Sequence, residues 1–339
     1  VDIKKLFSVK TLLLLGLVII ALLIPIFIRD NNYITLLVTN VILYAVLATA
    51  WNIIGGMGGQ LDLSAGAYLG IGAYTTATLL IRYNITPWVG MILGGLIAML
   101  LALVIGIPLF RFKIREVWYA LSSAALVEVL RVAFTMWESI GGPSERVLPY
   151  YEWSFYHLRF NTYMPFYYIL LAMLVIALIV NVVIRRSKLG YSLLALSEDE
   201  DAASVLGVDP RVSKIKALLI YAFMVGVIGG IDVCIKGNVA PKAFNGTQST
   251  EVAILGIVGG MGITFGPMLG AILLVSIREL LRAQLSGGLE GLYMVVYATV
   301  LILVALFSPR GLAPLIQDTF YKIKTRFTRK EKDELPTNT

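Results

Sequence analysis

Cysteine and histidine are almost missing from this chain: Cys234 and His157 are single copies in 339 residues. One cysteine excludes an internal disulfide, and one isolated histidine excludes a Cys/His metal cluster. Charge is scarce too, at 14% of residues. There is no Gly-Lys-Ser or Gly-Lys-Thr, hence no P-loop to bind ATP in the usual way. Neither H-E-x-x-H nor G-x-S-x-G occurs, so an intramembrane hydrolase would lack nucleophile, base and metal. What is abundant is apolar: 58% of residues are hydrophobic and the mean hydropathy is +0.83. An ordinary soluble domain does not tolerate that composition. The apolar runs are continuous, without the period-2 alternation of a barrel, so helices must satisfy the backbone. The net charge of +7 does not point to nucleic acid, because the bases lie in loops and tails beside apolar runs. The expected fold is all-α, a polytopic transmembrane bundle of about ten membrane segments, some of them short, re-entrant or interrupted by glycine.

Candidate spans cover residues 11–28, 34–54, 63–81, 88–110, 117–136, 165–184, 216–235 and 291–307, with a glycine-interrupted apolar region at 251–281. Residues 11–28 follow three lysines and precede no convincing cleavage site, which predicts a retained span rather than a signal peptide. With residues 1–10 inside the cell and strict alternation, nineteen of the 28 Lys and Arg residues fall on the inner side. Both termini are then cytoplasmic in a multi-pass protein of the cell membrane, provided the 251–281 region crosses an even number of times. That requires two short spans or a re-entrant hairpin near Gly262–Gly266. The transmembrane domain is predicted over 11–312, followed by a charged cytoplasmic tail at 313–339.

The most telling polar stretch is 185–216, an island between two apolar runs. Bases flank it: Arg185, Arg186 and Lys188 before, Arg211, Lys214 and Lys216 after. Between them Glu198, Asp199, Glu200 and Asp201 open a short amphipathic segment in which Ala202, Val205 and Leu206 share one side and Gly207 ends the helix. An apolar knob on the cytoplasmic face of a membrane protein predicts a partner.

Inside the spans little could carry chemistry. Glu128 and Arg131 lie three apart on one helical face, and either line a pathway or form an internal ion pair. Asp62 falls at an inner span boundary, and Asn52, Gln60, Ser64 and Tyr74 either line a route or bond between helices. His157 sits among aromatics in the outer loop, as an interfacial belt would. Gly55-Gly56-Met57-Gly58 recurs as Gly259-Gly260-Met261-Gly262. Two readings of this echo stand: small residues for close helix packing, or a two-fold repeat of broken helices hinged at Gly58, Gly59, Gly259, Gly260, Gly262 and Gly266.

Three blocks in order, Trp51–Tyr74, Gly190–Pro210 and Ile257–Leu274, together with Phe307-Ser308-Pro309-Arg310-Gly311-Leu312, resemble ABC importer permeases of the branched-chain amino acid type, the M-like subunit. The likeness runs over about residues 35–312. Asp201-Ala202-Ala203, three residues and Gly207 match the family's coupling loop. The resemblance implies that this loop docks on separate ATPase subunits, which bind ATP and Mg, so the chain itself holds no cofactor and is not an enzyme. It also implies two ATPases, a second related permease or a second copy of this chain, and an extracytoplasmic solute-binding protein. The chain departs from the family at Asp62, at Ala65 and after Gly141-Gly142. Branched-chain amino acids are the expected cargo, with urea, amides or another small polar solute as the alternative. An ion-coupled secondary transporter or channel is the rival class, and it would need a titratable cluster in mid-span.

Overall fold

The structure, a computed structural model, describes residues 31–114, 116–149, 153–285, 291–307, 311, 312 and 314. The predicted span at 11–28 and nearly all of the tail at 313–339 lie outside them. Among the described residues there are eleven α-helices, and the sheet is confined to one two-stranded pair. In chain order the helices are α1 (Asn32–Trp51, continued as a π-helical turn over Asn52–Met57), α2 (Ala65–Tyr83), α3 (Pro87–Arg111), α4 (Glu116–Met136) and α5 (Met164–Arg185). Then follow α6 (Lys188–Glu198), α7 (Glu200–Val205), α8 (Pro210–Lys236), α9 (Gly246–Gly260), α10 (Gly266–Leu285) and α11 (Leu292–Phe307). The strands are β1 (Arg146–Val147) and β2 (Asn238–Val239), paired antiparallel. Among the described residues five helices are long and apolar enough to cross a membrane: α1 with its π turn, α3, α4 (over Val117–Met136), α5 and α8. The result is the all-α polytopic membrane bundle that composition demanded.

The 251–281 region resolves into two helices, α9 and α10, packed against each other and broken over residues 261–265. Helix α8 starts at Pro210, several residues before the predicted boundary of 216. Asp209 explains this: its side chain accepts hydrogen bonds from Arg211 N (2.9 Å) and Val212 N (3.2 Å), an N-cap followed by proline at the first position. Arg211, Lys214 and Lys216 therefore belong to the first turns of a helix rather than to a loop.

Helix α8 is the centre of the bundle. Of its most apolar window 78% is buried, against 22% for α4, which lies at the periphery. It achieves this through glycine: a methyl placed on Gly72 of α2 would lie 1.9 Å from Gly226 O of α8, and one on Gly94 of α3 would lie 2.9 Å from Gly72 Cα. Only hydrogen fits where these three backbones meet, the way membrane helices approach closely when lipid offers no hydrophobic drive for association.

The connections sort into two ends. At one, Trp88 Nε1 donates to Phe155 O (3.1 Å), Thr86 Oγ1 donates to Tyr156 O, β1 pairs with β2, and Lys242 meets Glu145 at 3.1 Å. At the other, Arg185 donates to Gly262 O, and Gly59 packs on Ser197. Every segment predicted outside that makes one of these contacts meets others predicted outside, and the inner segments behave likewise.

Candidate functional site

The polar island builds a compact two-helix projection. Ser187 caps α6, with its hydroxyl accepting from Gly190 N at 3.4 Å, and Asp199 caps α7, accepting from Asp201 N and Ala202 N at 2.9 Å each. Asp199 is thus engaged with its own helix. Glu200 is also turned inward: its carboxylate meets Lys214 Nζ of α8 at 2.5 Å, with the lysine side chain only 3% exposed. A buried pair of this kind tethers α7 to the bundle, and Lys214 is not a free surface base. Ala203 is buried beneath the helix, whereas Ala202 is exposed, as are Val205 at 88% and Leu206 at 85%. Gly207 closes the turn at φ +90°, with its N–H donating to Ser204 O at 3.0 Å. Glu198 and Asp201 ring the knob on its exposed side. Burying Val205 and Leu206 against a partner would contribute roughly 1.5–3 kcal/mol each.

Beneath the projection lie the two glycine motifs, and they touch. Asn52, the first residue of the π turn, is fully buried. Its Nδ2 donates to Asn181 Oδ1 of α5 (3.1 Å) and to Ile263 O in the α9–α10 break (3.3 Å), while its Oδ1 accepts from Gly262 N (3.0 Å). Asn181 in turn donates to Thr49 O (2.9 Å) and Ala177 O (3.0 Å). A methyl on Gly56 would come within 2.6 Å of Gly262 N, which explains why glycine stands in both copies. Gly259, Gly266 and Gly270 form a second close approach between α9 and α10: a methyl on Gly259 would lie 2.3 Å from Gly266 O. Gly59, at φ +64°, rests on Ser197 of α6, and Gly58 lies beside Leu193. Gly260 has φ +121°. The echo in the sequence is therefore a physical contact, in which one carboxamide bridges two helix breaks directly under α6.

The other pathway candidates divide. Asp62 is fully buried, not at a water interface: its carboxylate accepts from Ser64 N (2.8 Å), Ser64 Oγ and Tyr119 Oη (2.8 Å), and its carbonyl accepts from Trp51 Nε1 (2.8 Å). It ties the start of α2 to α1 and α4. Gln60 is buried with Oε1 unpaired. Tyr74 is buried in an aromatic cluster with Phe134 and Phe244, at centroid distances of 4.7 and 5.7 Å. Only Glu128 and Arg131 face outward, bonded to each other at 2.7 Å with their side chains 55% and 49% exposed. His157 packs edge-on against Tyr156, with Ser154 Oγ 3.2 Å from its Nδ1. Among the described residues no group of His, Cys, Asp and Glu could hold a metal ion.

Sequence reading missed one cluster. Arg278 of α10 bonds Glu251 of α9 and Glu279 (2.7 Å), with all three side chains at most 15% exposed, and Tyr297 Oη donates to Glu251 at 3.3 Å. The guanidinium also lies 4.5 Å above the Tyr44 ring of α1. Opposite charges 27 residues apart inside an apolar stretch were the available signal.

In comparison with known proteins, residues 33–305 match the family described as branched-chain amino acid transport system / permease component. The chain is 29% identical over 300 residues to the high-affinity branched-chain amino acid transport system permease protein LivM of Escherichia coli (strain K12), covering 82% of this chain and 69% of that protein. LivM of Salmonella typhimurium is 28% identical over 329 residues, 90% and 75% of the two chains. LivH of Escherichia coli (strain K12), named as a permease protein of the same kind of system, is 25% identical over 286 residues, 79% and 90%. No solved structure matches.

Proposed function

The chain belongs to the permease-component family of branched-chain amino acid transport systems, and from that membership we propose that it is one of two membrane subunits of an ATP-driven importer for leucine, isoleucine and valine. The observation that carries the reading is the α6–α7 projection: a capped, tethered helix pair that presents Val205 and Leu206 to the aqueous phase while resting on the hinge where both helix breaks meet. The exposed knob fits a groove on an ATPase subunit. A push on α7 passes through the Glu200–Lys214 pair to α8 and through Ser197 to Gly59, so that chemistry performed on another chain reaches the centre of the bundle. This chain supplies no catalytic group; ATP and Mg are held by the partners.

The end of the bundle that carries α6 and α7 faces the cytoplasm, in keeping with its flanking Arg185, Arg186, Lys188 and Arg211. The opposite end, with β1, β2 and residues 137–149 and 153–163, receives a solute-binding protein. The likeness to both LivM and LivH supports a second, related permease as the other half of the pore.

The test is reconstitution with ATPase subunits, the second permease and the binding protein in proteoliposomes. Leucine uptake should require ATP and should disappear in Val205→Glu with Leu206→Glu, which also loses the ATPase subunits on purification. Uptake that persists without ATP and follows a proton or sodium gradient would instead favour an ion-coupled transporter.

A further inference from the structure

Helix α4 poses a problem that the importer reading leaves open. It is a span by length and hydropathy, yet it shows an ion pair at its surface. Glu128 lies roughly 12 Å from the outer end of the helix at Met136, and Arg131 roughly 8 Å, at 1.5 Å per residue. Charges at such depth face water or protein rather than lipid. The neighbourhood agrees. Gly246, the first residue of α9, lies against the carboxylate, 3.7 Å from Glu128 Oε1 to the position a methyl would occupy. Beside it Thr247 and Thr250 are exposed, Thr250 one turn further along the face that carries Gly246. Charge and hydroxyl thus form one polar strip where α4 and the start of α9 run side by side. One turn inward from Glu128 on α4 the chemistry changes abruptly: Ala125, Ser122, Leu121 and Trp118, with Ile114 just before the helix, line an open, mainly apolar cavity of about 500 Å³.

We propose that this strip and cavity are the solute half-site of the pore, with Glu128 receiving the ammonium and Arg131 the carboxylate of an amino-acid zwitterion whose aliphatic side chain enters the cavity beside Ala125. This rests on the importer reading and adds to it the residues that touch the cargo. The geometry fits the chemistry. A zwitterion presents two opposite charges a few ångströms apart, as the Glu128–Arg131 pair does, and it can exchange partners with that pair without leaving a charge unpaired. The side chain of leucine points away from its charged head by about one helical rise of three residues, which is the step from Glu128 to Ala125.

The experiment combines cysteine labelling with uptake in the reconstituted complex. Cys234 is buried and stays as the native background. Ala125→Cys and Thr250→Cys report the strip, while Val104→Cys on α3 and Ile179→Cys on α5, both exposed and apolar, report the outer surface. A membrane-impermeant cationic thiol reagent should modify the first pair at least tenfold faster than the second, and millimolar leucine should slow that reaction. Glu128→Gln and Arg131→Gln should each lower leucine uptake at least tenfold in complexes that still assemble. If the unsubstituted complex transports leucine with ATP but the strip labels no faster than α3 and α5, or labels with no leucine protection, the half-site is wrong and the importer reading stands. Unsubstituted complexes that take up no leucine with ATP overturn both.

Discussion

Replacing Asn52 with alanine removes one carboxamide and unmakes three hydrogen bonds at once. Asn181 Oδ1, Ile263 O and Gly262 N lose their partner, and Asn52 is fully buried, so water cannot replace it. Interhelical hydrogen bonds in membranes contribute about 0.6 kcal/mol on average and up to about 1.7, so three sum to roughly 2–5 kcal/mol. On a chain of 339 residues that corresponds to a fall of roughly 3–7 °C in thermal midpoint. The assay is thermal unfolding of the purified protein in detergent, with Asn52→Ala, Asn181→Ala and the double variant measured together. Asn181→Ala should cost a similar amount, and the double variant distinctly less than the sum, because the two share a bond; a coupling above about 0.5 kcal/mol marks that interaction. If the two losses add, the Asn52–Asn181 bond carries nothing, and if Asn52→Ala melts within 1–2 °C of the parent, the carboxamide does not bridge the two helix breaks.

Arg278→Met should strand the carboxylates of Glu251 and Glu279 in the bundle, at a cost of about 3–5 kcal/mol read as lost folded yield, and adding Glu251→Gln should restore part of it. Gly72→Val should prevent assembly altogether, since the added carbons overlap Gly226 O, and a normal size-exclusion profile would contradict the three-helix contact. Lys214→Met should leave the spans folded and loosen α7, seen as faster proteolysis between residues 198 and 209, while Glu200→Gln should give the same phenotype. Val205→Ser with Leu206→Ser should abolish recovery of ATPase subunits without lowering the thermal midpoint of the isolated chain, because neither side chain is buried in it.

Much of the architecture was legible because a bilayer permits few solutions. Continuous apolar runs had to become helices, and the placement of bases ordered most loops into two ends that the contacts reproduce; residues 245–249, expected outside, instead reach the inner start of α2, where Gly66 N donates to Ser249 Oγ at 2.7 Å. The amphipathic knob at Ala202, Val205 and Leu206 was legible for the same reason: a short polar segment cannot hide three apolar residues that share a side. What escaped was every role set by a distant partner. Glu200 reads as one of four acids, yet only the fold brings Lys214 to it. Asp62 reads as a boundary residue, and Tyr119, 57 positions away, makes it a buried tie between helices. Asn52 and Gly262 lie 210 residues apart, so the repeated tetrapeptide could suggest a relation but not a contact. Glu251, Arg278 and Glu279 were lost inside a region whose hydropathy concealed them.

The meeting of Gly72, Gly94 and Gly226 bears on how this bundle can move. With no side chains between them, α2, α3 and α8 have neither slack to slide nor rotamers to absorb a tilt, so they turn together as a single block. A displacement handed on from α6 and α7 would then be taken up where the block ends, at the π turn of α1 and the 261–265 break, and a wedge inserted there should stop it while leaving the block itself whole.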